Sequence, residues 1–405
     1  MRYDTVICGA GLAGITAALV SLSHGKSTAV VARGESSLYY MSGYLDLCGN
    51  GDNPWNAIDD LAHANPAHPF ALSDAKEKSE ALAFFVEQTS PGYPYAIPVD
   101  SRNHLVPTCT GGIRHTYLLP ANAGADGLAD RGRRVRAIGF TDYRDYSAQL
   151  MVDRLNKKGY SWTAAEVESG CSKVSQTSID LASYLDDDYP ALIDKLRPVV
   201  KDCDCLVFPA VLGFKKHRVI VEAIRDAFGT AVFEVPTLPP SLPGMRLSSA
   251  LISRLRGLGG DLFWGFPATA DNSAGDRCTG LIVDTPGRPR LIEGENYILA
   301  TGGIAGGGAL VERERIRERV FGLPVETYGT TDERFLFGEQ GFARSGIMVD
   351  SDMRPIGPDG KIIYKNLFCA GRALAGYDPF TEYDGAGVAI VTGYQAALAA
   401  IRRWD

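Results

Sequence analysis

Three glycines near the start of the chain have a spacing that suits the binding of a phosphate group. Gly9, Gly11 and Gly14 follow the apolar residues 5–8 and precede a segment rich in alanine and leucine. In this pattern the first glycine allows a tight turn, the second lets the backbone approach the phosphate, and the third lets a helix pack closely on a strand. The first amide groups of that helix then face the anion. The spacing predicts a βαβ unit that binds a nucleotide, with Leu12 and Ala13 at the same turn.

The end of the second predicted strand departs from the usual dinucleotide pattern. An Asp or Glu about 20 residues beyond the glycines normally binds the ribose hydroxyls. Here the strand 27–32 is followed by Arg33-Gly34. Arginine has no acceptor for a ribose hydroxyl, but it binds phosphate well. Two interpretations stay open: recognition of a 2′-phosphate, as in NADP, or a cofactor that has no adenosine ribose.

Two later segments separate these interpretations. Residues 297–303 follow three short predicted strands and end in Ala300-Thr301-Gly302-Gly303, and residues 366–371 end in Ala370-Gly371. Residues 384–387 then open a long helix. Together with the turn at residues 9–14, these make three segments that are similar to the flavin-contacting segments of flavoproteins with two dinucleotide-binding domains. In those proteins the dipole of the late helix favours electron density on the reduced ring. Their order along the chain predicts a flavoprotein.

Composition limits the other possibilities. The chain has 405 residues, more than the roughly 250–300 at which one hydrophobic core usually stops growing. Its net charge of −7 disfavours a nucleic-acid-binding protein. Its 8 cysteines include no Cys-x-x-Cys pair, so we expect neither a metal nor an iron–sulfur cluster of its own. No apolar run is long enough for a membrane span, and we expect a cytoplasmic protein.

Apolar periodicity and turn residues outline the elements between these motifs. The proline-rich residues 236–241 are the clearest boundary. The run of alternating charges at 312–319 predicts a solvated helix with ion pairs on one face. Further predicted helices are 76–88, 146–155, 183–200, 219–228, 246–258 and one that begins at Gly385.

Several unusual segments resemble one family, the B subunits of anaerobic glycerol-3-phosphate dehydrogenases. The resemblance extends over nearly the whole chain, and Arg33 is normal in that family. The segments that carry it are Arg33-Gly34-x-Ser36, Ser42-Gly43-Tyr44-Leu45-Asp46-Leu47, Pro66-Ala67-His68-Pro69, residues 236–241 with Gly244-x-Arg246-Leu247, residues 308–313 continuing to 316–318, and Gly376-Tyr377-Asp378-Pro379.

The resemblance implies a Rossmann-like α/β flavoprotein fold of the FAD/NAD(P)-binding type. We expect a discontinuous flavin domain of residues 1–50, 241–310 and 345–405. Residues 51–240 are expected to form an inserted α+β cap or substrate domain, with 311–344 packing nearby. FMN is the expected cofactor, because it has no adenosine half, and FAD is the alternative.

The resemblance also implies partners and a reaction. The complexes of this family combine their B subunits with FAD-bearing A subunits and with iron–sulfur C subunits that attach them to the membrane. Together they oxidise glycerol 3-phosphate to dihydroxyacetone phosphate and pass electrons to the quinone pool in anaerobic respiration. This chain would then be peripheral at the inner face of the membrane, and only through the iron–sulfur partner.

Candidate site residues follow from the resemblance and from the chemistry of hydride transfer. Such a reaction needs a base for the hydroxyl proton, and arginine forks suit a phosphate. The candidate bases are His68, His115, Asp378 and Asp384, and the candidate phosphate clamps are Arg246, Arg313, Arg317 and Arg372. The residues expected at the cofactor are Gly9, Gly11, Leu12, Ala13, Gly14, Arg33, Gly34, Ser42, Gly43, Leu45, Ala300, Thr301, Gly302, Gly303, Gly371, Arg372, Gly385, Ala386 and Gly387.

Two alternative functions stay open at this point. The chain could be a stand-alone flavin oxidoreductase of the fumarate-reductase kind that acts on another small anion. It could also be a non-catalytic flavin relay that passes electrons between subunits.

Overall fold

A computed structural model gives the architecture of the protein. It describes residues 1–121, 128, 130–172, 176–271, 275–313, 315–329 and 340–402. The chain divides into two compact units, the first made of Met1–Ser37, Asp46–Gly92 and Ala250–Asp405, and the second of Leu38–Leu45 and Tyr93–Ser249. The strands are β1 (Arg2–Cys8), β2 (Thr28–Ala32), β3 (Tyr95–Ala96), β4 (His104–Pro107), β5 (Ile113–Thr116), β6 (Leu119–Pro120), β7 (Val135–Phe140), β8 (Thr163–Val167), β9 (Cys205–Pro209), β10 (Ala231–Val235), β11 (Asp261–Trp264), β12 (Ala268–Asp271), β13 (Gly280–Val283), β14 (Arg290–Leu299), β15 (Ala309–Glu312), β16 (Arg315–Glu318) and β17 (Leu367–Cys369).

The α-helices separate these strands and mostly follow the predicted positions. They are α1 (Leu12–Ser23), α2 (Pro54–Ala64), α3 (Ala75–Thr89), α4 (Ala148–Asn156), α5 (Ser178–Leu196), α6 (His217–Phe228), α7 (Leu242–Gly257) and α8 (Gly385–Ile401). None of the helices in the described ranges combines the length and the apolar composition needed to cross a membrane.

The first unit is built on a parallel sheet with strand order β11-β2-β1-β14-β17. The N-terminal half of β14 also pairs with β13 in the antiparallel sense, and β13 pairs with β12. Residues 5–8 of β1 and all of β2 are buried, as expected for a sheet covered on both faces. Because the strands are parallel, their carboxyl ends lie at one edge of the sheet.

Two apolar helices of the first unit, α1 and α8, pack against each other at small residues. A Cβ on Gly393 of α8 would lie 2.4 Å from the carbonyl oxygen of Ala13. This contact needs glycine, because real Cβ atoms do not approach backbone so closely. Both helices are buried on most of their surface, which explains why their sequences show little polar periodicity.

Residues 51–92 lie in the first unit, whereas the sequence placed them in the inserted domain. Two contacts hold this segment to the first unit. Phe84 of α3 packs on Tyr394 of α8 with ring centroids 5.6 Å apart. The Asn65 side-chain amide donates to the carbonyl oxygen of Gly376 at 2.6 Å. Long-range contacts of this kind leave no local signal in the sequence.

The second unit contains a four-stranded parallel sheet of order β10-β9-β7-β8. Helices α4, α5 and α6 connect its successive strands, so this part of the inserted region is α/β in character. Two small antiparallel ribbons, β3–β6 and β4–β5, accompany it. Its core includes Phe208 and Phe233, both fully buried.

The charged run 312–319 is a hairpin and not the helix that its charges predict. Strands β15 and β16 pair antiparallel, with Glu312 opposite Arg315, and Arg313 in the turn has φ of +53°. Alternating charge also suits a two-stranded ribbon, where opposite charges face each other across the strands. The helical prediction for this segment is therefore wrong.

Candidate functional site

The three segments predicted to contact a flavin meet at one edge of the first unit's sheet. Cys8 pairs with Leu299, and Leu299 pairs with Cys369. The residues that follow these strand ends are therefore neighbours. Ala300 donates its amide to the carbonyl of Cys8 at 2.8 Å, and Ala370 donates to Leu299 at 2.9 Å. The topology brings together residues from the two ends of the chain.

Two of the glycines between β1 and α1 have the packing roles that their spacing predicts, and the third borders open space. Gly9 has φ of +113°, and a Cβ there would lie 2.3 Å from the oxygen of Ala300. A Cβ on Gly14 would lie 1.9 Å from the oxygen of Gly9, whereas nothing lies within 4 Å of a Cβ built on Gly11. The backbone at Gly11 therefore borders open space, which is the position where a phosphate would approach.

No side chain among the described residues caps the N-terminus of α1. Gly11 occupies the N-cap and provides no side-chain acceptor. The amides of Leu12, Ala13 and Gly14 have no hydrogen-bond partner within the described residues. Unsatisfied amides at a helix start carry partial positive charge and bind anions. The residues present therefore fit a cofactor phosphate at this turn.

The loop after β14 adds a second glycine-lined surface. Gly302 has φ of +79°, and a Cβ on Gly308 would lie 2.1 Å from the Gly302 carbonyl oxygen. The Thr301 hydroxyl is buried and has no hydrogen-bond partner in the described part of the chain. An orphaned buried hydroxyl costs free energy unless something fills its bonding position. This observation also fits a bound cofactor.

Gly371 and Arg372 follow β17, and each has a defined structural role. Gly371 has φ of +67°, and a Cβ there would lie 2.7 Å from that of Ala13. The Arg372 guanidinium donates to the carbonyl oxygen of Ala343 and lies over the Tyr377 ring, 5.4 Å from its centroid. These contacts orient Arg372, and its predicted role as a phosphate clamp stays a prediction.

The N-terminus of α8 is close to the residues of the same unit that were predicted as bases. Gly387 donates its amide to the Asp46 carbonyl at 2.9 Å. The amides of Gly385 and Ala386 have no partner among the described residues. Asp384 occupies the N-cap, but its side chain does not cap the helix. Two free amides therefore remain for a ligand at this helix start.

His68 and Asp384 form a buried pair at this helix start. The Nε2 atom of His68 lies 3.2 Å from Oδ2 of Asp384 and 3.6 Å from Oε2 of Glu382. Both His68 and Asp384 are fully buried. On the other side of the ring, Nδ1 accepts a hydrogen bond from the Phe70 amide at 3.1 Å. Since Nδ1 is an acceptor, the ring proton lies on Nε2 and is donated to the carboxylates.

One further proton can bind either to the His68 ring or to the Asp384 carboxylate. Burial lowers the pKa of His68, whereas hydrogen bonds and charges from Asp384 and Glu382 outweigh it and raise the pKa. A second ring proton would have to sit on Nδ1, however, and would face the Phe70 N–H. Burial raises the pKa of Asp384, which its bond to His68 only partly offsets. The hydrogen bond from the Phe70 amide therefore disfavours a second proton on the His68 ring.

The same geometry does not fit a metal ion. One ligand atom each of His68, Glu382 and Asp384 lies within 4.8 Å of the others, a spacing that a cation could use. A histidine that binds a metal normally donates its second ring N–H to an acceptor. Here Nδ1 accepts from an amide, so Nε2 carries the hydrogen and its lone pair is not free.

Asp378, another predicted base, is engaged in the turn before α8. It is buried, its Oδ1 accepts from the Phe380 amide at 2.9 Å, and its own amide donates to Glu382 at 2.7 Å. This arrangement closes a local turn. Its role as a base remains a prediction, and the structure gives it a positioning role.

Four of the predicted residues lie in the second unit. His115 is part of β5 and is partly buried. Ser42 exchanges hydrogen bonds with the backbone of Tyr44. A Cβ on Gly43 would lie 2.3 Å from that of Pro243, and Leu45 exchanges backbone hydrogen bonds with Leu118 at 3.0 and 2.9 Å. Their predicted roles at the cofactor or substrate stay predictions.

Arg246 also lies in the second unit, where it is the centre of a buried ion pair. Its Nη1 lies 2.6 Å from Oε2 of Glu234, and its Nε and Nη2 donate to the Gly213 carbonyl at 3.0 and 2.6 Å. Burial alone would raise the pKa of Glu234, but Arg246 and His217 hold it below its usual value. Burial and the Arg246 charge lower the pKa of His217 to about 4. All three nitrogen atoms of the Arg246 guanidinium therefore donate hydrogen bonds within the protein.

Four further predicted residues of the first unit are at the surface, whereas Gly303 is buried. Arg313 is exposed, and Arg317 forms only a loose pair with Glu312 at 3.9 Å. Arg33 and Gly34 are exposed after β2, and no contact of Arg33 is found within the described residues. The predicted roles of these residues stay predictions.

Sequence reasoning missed the partners that give the site its properties. Glu382, Phe70 and Tyr377 surround His68, and Glu234 neutralises Arg246. One sequence signal existed, since His68, Tyr377 and Asp378 lie in family-like segments. It did not reveal that Glu382 and His68 meet, because they lie near opposite ends of the chain.

The chain is similar to known flavoproteins along nearly its whole length. A family model described as an FAD binding domain matches residues 4–388. A Halobacterium salinarum protein, named among the probable B subunits of anaerobic glycerol-3-phosphate dehydrogenase, is 33% identical over 99% of this chain and 98% of its own length. A Pectobacterium atrosepticum protein, named among the B subunits of the same enzyme, is 28% identical over 98% of both chains.

A solved structure is also similar over most of its length. It is a 3-ketosteroid delta1-dehydrogenase from Sterolibacterium denitrificans, with a TM-score of 0.47, 12% identity, and coverage of 98% of this chain and 99% of that one. The family match supports a flavin as the cofactor. It does not support FMN as the first choice, so the missing acid after β2 does not imply that the adenosine half is absent.

Proposed function

Because the chain belongs to the family of B subunits of anaerobic glycerol-3-phosphate dehydrogenases and contains an FAD-binding domain, we propose that it oxidises glycerol 3-phosphate to dihydroxyacetone phosphate. The protein is a flavin-dependent dehydrogenase. The single observation that carries the proposal is the meeting of three glycine-rich strand ends beside two uncapped helix starts in one unit. This arrangement suits a ligand that has both a phosphate group and a ring able to hold negative charge.

FAD is the flavin that we propose. The first unit would bind it, with the α1 amides of Leu12, Ala13 and Gly14 at a phosphate. The loop of Thr301 and the free amides of Gly385 and Ala386 would contact the rest of the cofactor. FAD supplies the acceptor for the hydride that leaves the substrate. The exposed Arg33 would bind no ribose hydroxyl, because it has no acceptor atom.

The reaction removes a hydride from a carbon atom and a proton from its hydroxyl group. Among the candidate bases, His68 is the least suited to take this proton. Its Nδ1 lone pair is bonded to the Phe70 amide, and its Nε2 carries the hydrogen given to Asp384. At this helix start, the chain therefore orients groups around the cofactor ring. His115 remains a candidate base.

The complex and its location are also proposals. The relatives are named as B subunits, which supports a multi-subunit assembly. We propose an FAD-bearing subunit and an iron–sulfur subunit as partners, with electrons passing through the iron–sulfur subunit to quinone. The chain would then be cytoplasmic and would reach the membrane only through that partner.

One observation favours a second candidate function, the electron relay. In the first unit, the arginines predicted to hold the substrate phosphate are either bonded to backbone or exposed on a hairpin. Of these three arginines, Arg372 is therefore already bonded, and Arg313 and Arg317 lie at the surface. If the FAD-bearing partner holds the substrate, this chain would only transfer the electrons.

One experiment separates these functions. The purified chain is denatured, and the released flavin is identified by chromatography; FAD is expected, and release of no flavin contradicts both candidates. The native chain is then mixed with glycerol 3-phosphate and a dye acceptor, alone and with its partner subunits. Dye reduction by the chain alone supports the dehydrogenase. Reduction that requires the FAD-bearing partner, with flavin bound in both proteins, supports the relay.

A further inference from the structure

The cluster of His68, Glu382 and Asp384 has one N–H donor for two buried carboxylates. Nε2 of His68 lies 3.2 Å from Asp384 and 3.6 Å from Glu382. All three residues are at least nine-tenths buried. Two ionised carboxylates in such a place would repel each other and would lack donors. The cluster is therefore stable only if another proton is present or other donors compensate.

The two carboxylates differ in the hydrogen-bond donors that surround them. Glu382 accepts the Asp378 amide at 2.7 Å, and its Oε1 lies 3.7 Å from the Arg344 guanidinium. Within the described residues, the Asp384 carboxylate accepts from the His68 ring and from its own backbone amide, and its Oδ1 is buried without a hydrogen-bond partner. A buried ionised carboxylate normally accepts several hydrogen bonds. Each oxygen of Glu382 has a donor close to it, whereas Oδ1 of Asp384 has none among the described residues.

The other groups that face Asp384 do not supply a charge that would ionise it. Burial raises the pKa of the Cys48 thiol to about 11, so it is neutral. Burial also raises the pKa of the Tyr377 hydroxyl, which is neutral as well. Asp46 lies near Cys48 and adds negative charge. The Arg344 guanidinium pairs with Glu382.

We propose that Asp384 holds a proton in the oxidised protein, so that no full negative charge stands at the N-terminus of α8. Asp384 is then a positioning residue that acts through the helix start, and it is not the base that abstracts the substrate proton. The inference rests on the proposed function, because it takes this helix start to face the flavin ring.

The effect of Asp384 on the flavin follows from comparing its charge with the partial charge at the helix end. A helix N-terminus carries the equivalent of about half a positive charge. An ionised Asp384 would add a full negative charge directly at that end and would more than cancel it. Protonated Asp384 leaves the positive end intact, which favours electron density on a nearby ring. As the pH rises and Asp384 ionises, the flavin midpoint potential should fall more steeply than it does without this residue.

The test uses the flavin-loaded protein and measures two quantities. Infrared difference spectra compare the wild type with Asp384→Asn at neutral pH. We expect a band from a protonated carboxyl group that Asp384→Asn removes and that the exposed-site variant Asp359→Asn retains. Potentiometric titrations between about pH 5 and pH 9 then follow the midpoint potential. We expect Asp384→Asn to lose the steeper pH dependence of the wild type and of Asp359→Asn.

Failure of the inference and failure of the proposed function are distinguishable. A wild type that binds flavin but lacks the carboxyl band, or whose potential profile matches that of Asp384→Asn, overturns the inference alone. A wild type without flavin overturns the proposed function, and the band still decides where the proton lies. If Asp384→Asn does not fold, Glu382→Gln replaces it. Removal of that negative charge should move the titration of the carboxyl band to lower pH, and an unmoved band contradicts the cluster.

Discussion

The imidazole Nε2 of His68 lies 3.2 Å from Oδ2 of Asp384, and this contact joins two distant parts of the chain. His68 precedes the short 3₁₀ helix Pro69–Leu72 and accepts its Phe70 amide. Asp384 stands at the start of α8. The hydrogen bond therefore fixes the segment after α2 to the helix start that we assign to the cofactor.

The first prediction concerns the pH dependence of stability. The pKa of Asp384 is raised above its ordinary value of 3.8 in the folded state. Between the two values the folded state binds more protons than the unfolded state, so the free energy of unfolding should fall as pH rises through this window. The slope is at most about 1.4 kcal/mol per pH unit for one such group.

Urea unfolding of the wild type and Asp384→Asn across that pH range measures this effect. We expect the variant to lack the decline, because asparagine does not titrate. Asp359→Asn is the matched control, since Asp359 is exposed and pairs only with Lys361. Equal slopes in the wild type and Asp384→Asn would contradict the protonated state that we assign.

The flavin framework could be predicted from the sequence because its signals are local. Glycine spacing after a strand, as in Gly9, Gly11 and Gly14, follows from the close approach of the backbone, and the structure shows this close packing at Gly9 and Gly14. The resemblance to the B subunits and the Rossmann-like flavoprotein fold are likewise confirmed. The preference for FMN, which the resemblance implied and the missing acid after β2 fitted, is not supported, because one missing side chain does not define a cofactor.

The polar partners could not be predicted, since they depend on pairs far apart in sequence. His68 lies beside Glu382, and Arg246 forms an ion pair with Glu234 of β10. An isolated arginine in a sequence looks the same whether it binds a substrate or a buried carboxylate. The run after Glu312 shows the same ambiguity, because alternating charge fits both a helix face and a hairpin.

The second prediction separates cofactor binding from folding at the glycine turn. We expect Gly11→Ala to fold with nearly wild-type stability and to lose most of its flavin, because a Cβ there meets nothing within 4 Å of the protein itself. Gly14→Ala should unfold at clearly lower urea concentration, since its Cβ would lie 1.9 Å from the Gly9 oxygen. Gly257→Ala, at an exposed and open position at the end of α7, is the control.

Flavin content after gel filtration and urea midpoints measure the two effects. If Gly11→Ala retained full flavin content, the α1 turn would not be the phosphate site. If Gly14→Ala were as stable as the wild type, the close packing of α1 on the β1 turn would be contradicted.

The third prediction concerns the buried ion pair of the second unit. Arg246→Met leaves Glu234 buried without its partner, and we expect a loss of about 3–5 kcal/mol in the free energy of unfolding. The double variant Arg246→Met with Glu234→Gln removes both charges and should recover a large part of that loss. Urea unfolding of the three proteins gives the coupling between the residues.

The substrate role predicted for Arg246 leads to a different expectation, an effect on KM and not on stability. If its guanidinium held the substrate phosphate, Arg246→Met would raise KM for glycerol 3-phosphate while stability stayed near that of the wild type. The burial of both side chains to nine-tenths or more and the two bonds from Arg246 to the Gly213 carbonyl lead us to expect the stability loss instead.

The fourth prediction tests how the strand end after β2 affects the choice of flavin. Arg33 is exposed, so Arg33→Glu should change the free energy of unfolding by no more than about 0.5 kcal/mol. A glutamate at this position can accept hydrogen bonds from the ribose hydroxyls of FAD, which arginine cannot do. We therefore expect the ratio of FAD to FMN affinity to rise, measured by titrating apoprotein with each flavin. Arg33→Gln, which removes the charge and offers one amide oxygen, should show a smaller rise. An unchanged ratio in both variants would show that this strand end does not contact the cofactor, and a fall in FAD affinity alone would instead indicate that Arg33 binds a phosphate group.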